Sequence, residues 1–282
     1  MRFSKPQSEV FVPSGGDPAT ALASTTDLCI AAHQDDIEIM AYGPIVACFN
    51  NRERFFTGCV MTDGAGSPRT GPYADYTDDQ MILTRAEEQR NAARIGGYAA
   101  QVFMNLCSTQ VKDGGGLAAV DDIEKLLLLT APETVYTHNL ADKHDTHVSV
   151  ALRVIAAIRR LPVDKRPSKV YSMEVWRNLD WLCDEDKAIF DTSKHLNLAA
   201  ALLGVHDSQV AGGKRYDSAA LGRRLSNATF FASHDADTCE SISYGLDITA
   251  LIQDGTPSPE EFIKGHIDSF ANEVLTRLAR LR

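Results

Sequence analysis

The chain is 282 residues long, 44% hydrophobic and carries a formal net charge of -10, enough apolar material for one full core. That charge excludes strong binding to DNA, RNA or anionic membranes, because neutralising phosphates takes clusters of Lys and Arg; no apolar run reaches the roughly 18 residues of a membrane span. The six cysteines stand far apart without a CxxC pair and residues 1–26 hold no apolar leader core, so the expected setting is cytoplasmic with reduced thiols.

In chain order, short apolar runs alternate with helical patterns. This predicts an α/β fold with a mostly parallel sheet and helices on both faces. Strands are expected at 27–32, 55–61, 101–106 and 134–137, with helices at about 36–50, 78–96 and 119–130 between them. A helix over 144–160 repeats Val148, Ala151, Leu152, Ile155 and Ile158 at helical spacing. A fifth strand follows at 170–176. Beyond it the pattern weakens: 196–204 reads as helix, 211–247 as mixed and turn-rich, and 258–281 as a closing amphipathic helix begun by Pro257 and Pro259. No linker, repeat or low-complexity segment interrupts the chain. One domain over 1–282 is expected, with a motif-bearing core at 27–160 and a part that shapes the substrate site at 161–282.

In such sheets ligands bind beyond the carboxyl ends of the strands. His33-Gln34-Asp35-Asp36 follows the first strand, 62–67 the second, and 138–147 the fourth. A catalytic zinc takes three protein ligands and keeps a position for water. His33, Asp36 and His147 would supply two imidazoles and a carboxylate. The adjacent Asp35, pointing elsewhere, could accept the water's proton. His144, one helical turn from His147, is placed to donate to the oxyanion or to protonate the departing amine. The helix dipole disfavours its protonation and a nearby carboxylate favours it, so the sequence does not sign the net shift. Each piece alone has a plainer meaning: a His-x-x-His pair is often incidental, and Asp-Asp after a strand often caps a helix.

These residues carry a resemblance. His33-Gln34-Asp35-Asp36-Ile37-Glu38 resembles the (A/P)-H-P-D-D-x-E signature of the PIG-L/LmbE-like zinc N-deacetylases, and Thr137-His138-Asn139 through His144-Asp145-Thr146-His147 resembles that family's second histidine motif. Thr62-Asp63-Gly64-Ala65-Gly66-Ser67 is similar to its T-x-G-x-x-S loop. Arg85-Ala86-Glu87-Glu88 with Ala92, Ile95 and Gly96 is similar to its R-x-x-E helix, and His206-Asp207-Ser208-Gln209 to a late H-x-S-Q element. The resemblance implies a Rossmann-like three-layer fold that hydrolyses an N-acetyl group, usually on a glucosamine unit, with Zn2+ as cofactor. Fe2+ or Co2+ can occupy such sites. It implies His33, Asp36 and His147 as ligands, Asp35 as general base, His144 at the tetrahedral intermediate, and Arg85 on the substrate. Gln34 replaces the usual proline, and Asp145-Thr146 replaces the common Pro-Asp, so Asp145 is the expected carboxylate behind the ligand histidine. Asp142 stands where some members carry a tyrosine.

Supporting residues divide between two readings each. Asp63 and Gly64 line the pocket or form a plain turn. Arg85 reaches a sugar hydroxyl or pairs with Glu88 on an exposed helix. Glu38 orients the first-motif loop or faces solvent. Trp176 and Trp181 could stack on a sugar ring, the core being the expected place for each; His206 and His234 are expected as structural histidines, and His195 and His266 at the surface.

The leading reading is therefore a hydrolase for a small N-acetylated amino sugar, with no nucleic-acid or membrane partner and a homo-oligomer left open. The alternatives are an amidase for a larger thiol-glycoside conjugate, a non-catalytic ligand-binding protein, and a nucleotide-binding oxidoreductase. The last lacks the Gly-x-Gly-x-x-Gly turn after the first strand.

Overall fold

A computed structural model describes residues 2–253 and 257–282. Eight strands form one sheet: β1 (Glu9–Phe11), β2 (Asp27–Ala31), β3 (Phe56–Thr62), β4 (Ala100–Leu106), β5 (Thr134–His138), β6 (Lys169–Met173), β7 (Lys187–Asp191) and β8 (Ile242–Asp247), in the order β1-β4-β3-β2-β5-β6-β8-β7. The run β4-β3-β2-β5-β6 is parallel. β1 joins β4 antiparallel, and β8 joins both β6 and β7 antiparallel. β2, β3 and β5 are buried along their whole length, as parallel strands covered on both faces must be.

Alternation along β2 divides the core. Leu28 and Ile30 face one apolar cluster, Cys29 and Ala31 the other. The first cluster is closed by α1 (Pro18–Ala23), α5 (Ser108–Lys112), α6 (Ala118–Thr130) and α7 (Asp145–Arg160), through Leu22, Val111, Ile123, Leu126, Val150, Val154 and Ile158. The second is closed by α2 (Asp36–Met40), α3 (Tyr42–Cys48), α4 (Asp78–Gly96) and α8 (Leu196–Gly204), through Ile37, Ile45, Ala92 and Leu202. The result is a three-layer α/β fold. All six cysteines are free, and no helix among the described residues is long and apolar enough to cross a membrane.

The structure departs from the sequence reading in places. The helix expected over 36–50 breaks at Ala41 (φ -112°, ψ 23°). Pro44 explains the restart, since proline is tolerated only in a helix's first turn. The mixed stretch contains α9 (Asp207–Val210), α10 (Tyr216–Phe230) and β8. In β8, Gly245 is required by close packing: a Cβ there would lie 2.9 Å from Met173 Sδ and from a Phe190 ring carbon. The closing helix α11 (Pro259–Arg280) forms with a capping box from Ser258 and Glu261, yet none of its residues is buried. Phe262 and Ile263 touch the core, while Ile267, Phe270, Leu275 and Leu278 remain exposed.

Candidate active site

β2 and β5 are neighbours from which the sheet continues in opposite directions, so a crevice opens beyond their carboxyl ends. The ends are tied together: the Ala32 N–H donates to His138 Nε2 at 2.8 Å. Past β2 the chain turns through Asp35 at φ +99°, a conformation that costs a non-glycine residue about 1–3 kcal/mol. Asp35 occupies the N-cap of α2 without a side-chain capping bond, so the plain capping role is not what it performs. Its N–H donates to Gln89 Oε1 at 3.3 Å, and its carboxylate lies 3.5 Å from Arg85.

Asp36 turns the other way. Its Oδ2 accepts from the His33 N–H at 2.8 Å and lies 3.1 Å from His33 Nδ1 and 3.3 Å from His147 Nε2. His33 Nδ1 and His147 Nε2 are 3.2 Å apart. Donor atoms at tetrahedral corners about 2.0 Å from a centre are about 3.3 Å apart, so this triangle fits a zinc-sized cation. Two overlapping groups of candidate metal-holding side chains meet here, His33–His144–His147 and Asp36–His138–His147. The Nε2 of His138 is already occupied by the Ala32 N–H, which favours His33, Asp36 and His147 as the set. His147 Nδ1 donates to Asp142 Oδ2 at 3.5 Å, leaving Nε2 with a free lone pair.

The electrostatics agree. Burial opposes ionisation of Asp36, but His147, His33 and His138 outweigh it and hold the carboxyl well below its ordinary range. Burial likewise opposes a charge on His147, yet Asp36 and Asp142 raise its affinity for a proton. A field that favours an imidazolium also favours a bound cation. Burial and then the Asp36 charge push Asp35 upward, against the pull of Arg85. His144 is lowered to about 4 by burial and by His147 and His33, so its imidazole is neutral near pH 7.

Several expectations are corrected. Asp145 is exposed on the first turn of α7. The carboxylate behind His147 is Asp142, which also accepts from the N–H groups of His144 (3.2 Å) and Trp176 (3.1 Å). Arg85 does not pair with Glu88 on an exposed face. It is buried, donating to Gln34 O, Ser67 Oγ and Gly64 O, while Glu88 accepts from the Ser208 N–H and hydroxyl at 2.7 and 2.6 Å. Glu38 is buried and accepts from Gln89 (2.9 Å), Tyr98 (2.7 Å) and His206 (3.1 Å). Through Gln89 it therefore backs the Asp35 loop. His206 is held in that network, His234 and His195 are exposed, and His266 pairs with Asp186 at 2.9 Å. Trp181 packs against the first apolar cluster and Trp176 against the second, and Trp176 also lines the crevice.

That crevice is a cavity of about 600 Å³ walled by His33, Asp35, Asp36, Arg85, His144 and Trp176. Asp63 and Gly64 also line it. Gly64 (φ +82°) is required, since a Cβ would lie 2.6 Å from Gln34 Oε1. Lys112, Lys214, Tyr216 and Arg223 are wall residues that sequence reasoning missed. Lys112, Tyr216 and Arg223 sit on helices whose faces the sequence did not resolve, and Lys214 in the loop before α10.

A family model described as GlcNAc-PI de-N-acetylase (PIG-L) matches residues 28–158. An Escherichia coli K12 protein, the uncharacterized deacetylase YaiS, is 31% identical over 139 residues, covering 48% of this chain and 69% of YaiS. The chain belongs to the PIG-L/LmbE deacetylase family. The N,N'-diacetylchitobiose deacetylase of Pyrococcus horikoshii shares this family fold with a TM-score of 0.64 at 17% identity, over 83% of this chain and 87% of its own. GalB, the 4-carboxy-2-hydroxymuconate hydratase of Pseudomonas putida KT2440, shares it at TM-score 0.57 and 16% identity, over 83% and 100%. A fold that carries both deacetylases and a hydratase does not select the reaction; the side chains must.

Proposed function

We propose that this deacetylase removes the N-acetyl group from an N-acetylglucosamine-type amino sugar or glycoside, using a divalent metal, Zn2+ first, held by His33, Asp36 and His147. The observation that carries this reading is the triangle of three donor atoms 3.1 to 3.3 Å apart, with His33 and Asp36 on the cavity wall beside Asp35 and His144 and His147 buried behind them. A cation held there would polarise the amide carbonyl and make water acidic enough to attack near neutral pH.

The chain's own groups do the rest. Asp35, its proton affinity raised by burial, takes a proton from the attacking water. Arg85 and Gln89 keep its carboxylate and backbone in place. His144, as a neutral N–H donor, steadies the oxygen of the tetrahedral species. The C–N bond then breaks, the proton passes from Asp35 to the departing nitrogen, and acetate and a free amine leave. Trp176 offers an aromatic wall to the sugar. A cytoplasmic location and a single domain over the whole chain complete the proposal.

The test is acetate release from a panel of N-acetylated amino sugars, with metal content measured on the same preparations. Activity should disappear on chelation and return with Zn2+ or Co2+. Stoichiometrically metallated protein that releases no acetate from any member would overturn the reading, and preferential cleavage of a bulkier amide would move it to the larger thiol-glycoside conjugates.

A further inference from the structure

The charge on the cavity wall is distributed unlike that of the chain. The protein carries a net charge of -10, yet Arg85, Lys112, Lys214, Arg215 and Arg223 all line this one cavity. Two of these are already neutralised: Arg85 faces Asp35 at 3.5 Å, and Arg215 pairs with Asp217 at 2.9 Å. Among the described residues, Lys112, Lys214 and Arg223 form no ion pair with any carboxylate. Lys214 instead sits with its ammonium 4.3 Å from the centre of the Trp176 ring, and Arg223 donates to Val175 O. Glu174, which feels the Arg223 charge, is committed to the N–H groups of Tyr244 and Leu179 and to Asn227.

The lining carboxylates lie elsewhere in function. Asp35 and Asp36 belong to the reaction centre, leaving Asp63 as the remaining lining acid. Away from the metal-binding triangle, the wall thus holds three cations without a carboxylate partner against one carboxylate. In a protein this acidic, such a local reversal would attract a negatively charged molecule that the rest of the surface repels. Cations that project into a cleft with low-dielectric walls act more strongly than the same charges on an open face.

We infer that the substrate carries an anionic group, a phosphate or a carboxylate, held by Lys112, Lys214 and Arg223 while its acetamido group lies at the triangle. This inference rests on the deacetylase reading for its substrate class, and its test separates the two. Lys214 lies on Trp176, so one element of the wall would meet both a ring and its charged substituent. Trp176, Lys214 and Arg223 lie outside the matched stretch 28–158, whereas Lys112 lies within it. The anion preference would therefore draw on both halves of the chain.

The experiment compares kcat/KM for methyl N-acetylglucosaminide, N-acetylglucosamine 6-phosphate and N-acetylmuramic acid. At least one charged substrate should be favoured about tenfold, mainly through KM. That preference should shrink as NaCl rises from about 50 to about 500 mM. The double variant Lys112→Glu with Lys214→Glu should bring the ratio of charged to neutral turnover to about one or below. The ratio is the readout because it separates these lysines from any attraction of the metal for phosphate. Calorimetric titration with glucosamine and glucosamine 6-phosphate supplies a second readout that needs no turnover. Whichever anion is favoured identifies the source. Equal kcat/KM and equal binding for charged and neutral ligands, or a preference untouched by the double variant, would overturn the inference and leave the deacetylase reading standing. If nothing in the panel is hydrolysed, the deacetylase reading fails and the calorimetric comparison still decides the anion site.

Discussion

The two ends of the cavity are built by different kinds of backbone. The inner end takes its groups from the tips of β2 and β5 and the first turn of α7, within 27–160, where parallel pairing locks each tip to its neighbour. The outer wall takes Trp176, Lys214, Tyr216 and Arg223 from a loop and from α10, within 161–282. The inner groups are held within 3.1 to 3.3 Å of one another; of the outer cations, Lys112 and Lys214 are exposed. On the proposed reading the chemistry would sit on the strand tips, while most of the groups that select the substrate would come from loops and α10, as is general where function is mounted on a scaffold. The second half also braces the first from behind: His206 holds Glu38, Ser208 holds Glu88, and the buried Arg224 donates to the Glu38 and Ile39 carbonyls.

Substitutions at the inner end should cost most. Asp35→Asn should lower kcat by about 10²–10⁴ while metal content stays at the wild-type level; a loss of metal along with activity would show that Asp35 is a ligand rather than a base. Asp142→Asn leaves the triangle but removes the charge behind His147, and about 10–100-fold in metal affinity or turnover should go with it. Metal titration against a competing chelator reads this directly. One step further back, Gln89→Leu removes the acceptor for the Asp35 N–H. It should reduce kcat about tenfold with little change in KM, and an unchanged kcat would show that Arg85 alone suffices.

The smallest effect lies in the brace. Burial opposes a charge on His206, but Glu38 outweighs it, with Asp35 and Glu88 adding, so its pKa is raised. A raised histidine contributes stability that is fully present below its unfolded value and is lost as pH rises through the folded value. The Tm gap between wild type and His206→Gln should therefore be a few degrees wider at about pH 6 than at about pH 9. A gap independent of pH would mean that the pair contributes by packing alone.

The same division governed what could be read in advance. The central strands are continuous apolar runs between turn signals, and the reactive groups follow them directly, so strands and motifs were legible together. β1 has three residues, too few for periodicity. β7 and β8 pair antiparallel at the far edge, and the apolar run of β8 is interrupted by Gly245, which packs closely against Met173 of β6 and Phe190 of β7. Asp142 escaped notice because nothing local distinguishes it; only the fold of the 139–147 loop turns its carboxylate onto His147. Arg85 looked like a surface residue by its chemistry, and its burial depends on loop carbonyls brought in from 34 and 64.

The neighbourhood of β2 and β5 has a consequence for the molecule's durability. Their register brings His33 within 3.2 Å of His147, 114 positions later in the sequence. Anything bound across that seam is a clasp on the middle of the sheet, and it can close only when the chain is folded. Heat tolerance should accordingly climb with the concentration of free divalent ion, by RT ln(1 + [M]/Kd), making calorimetry a gauge of occupancy independent of any substrate.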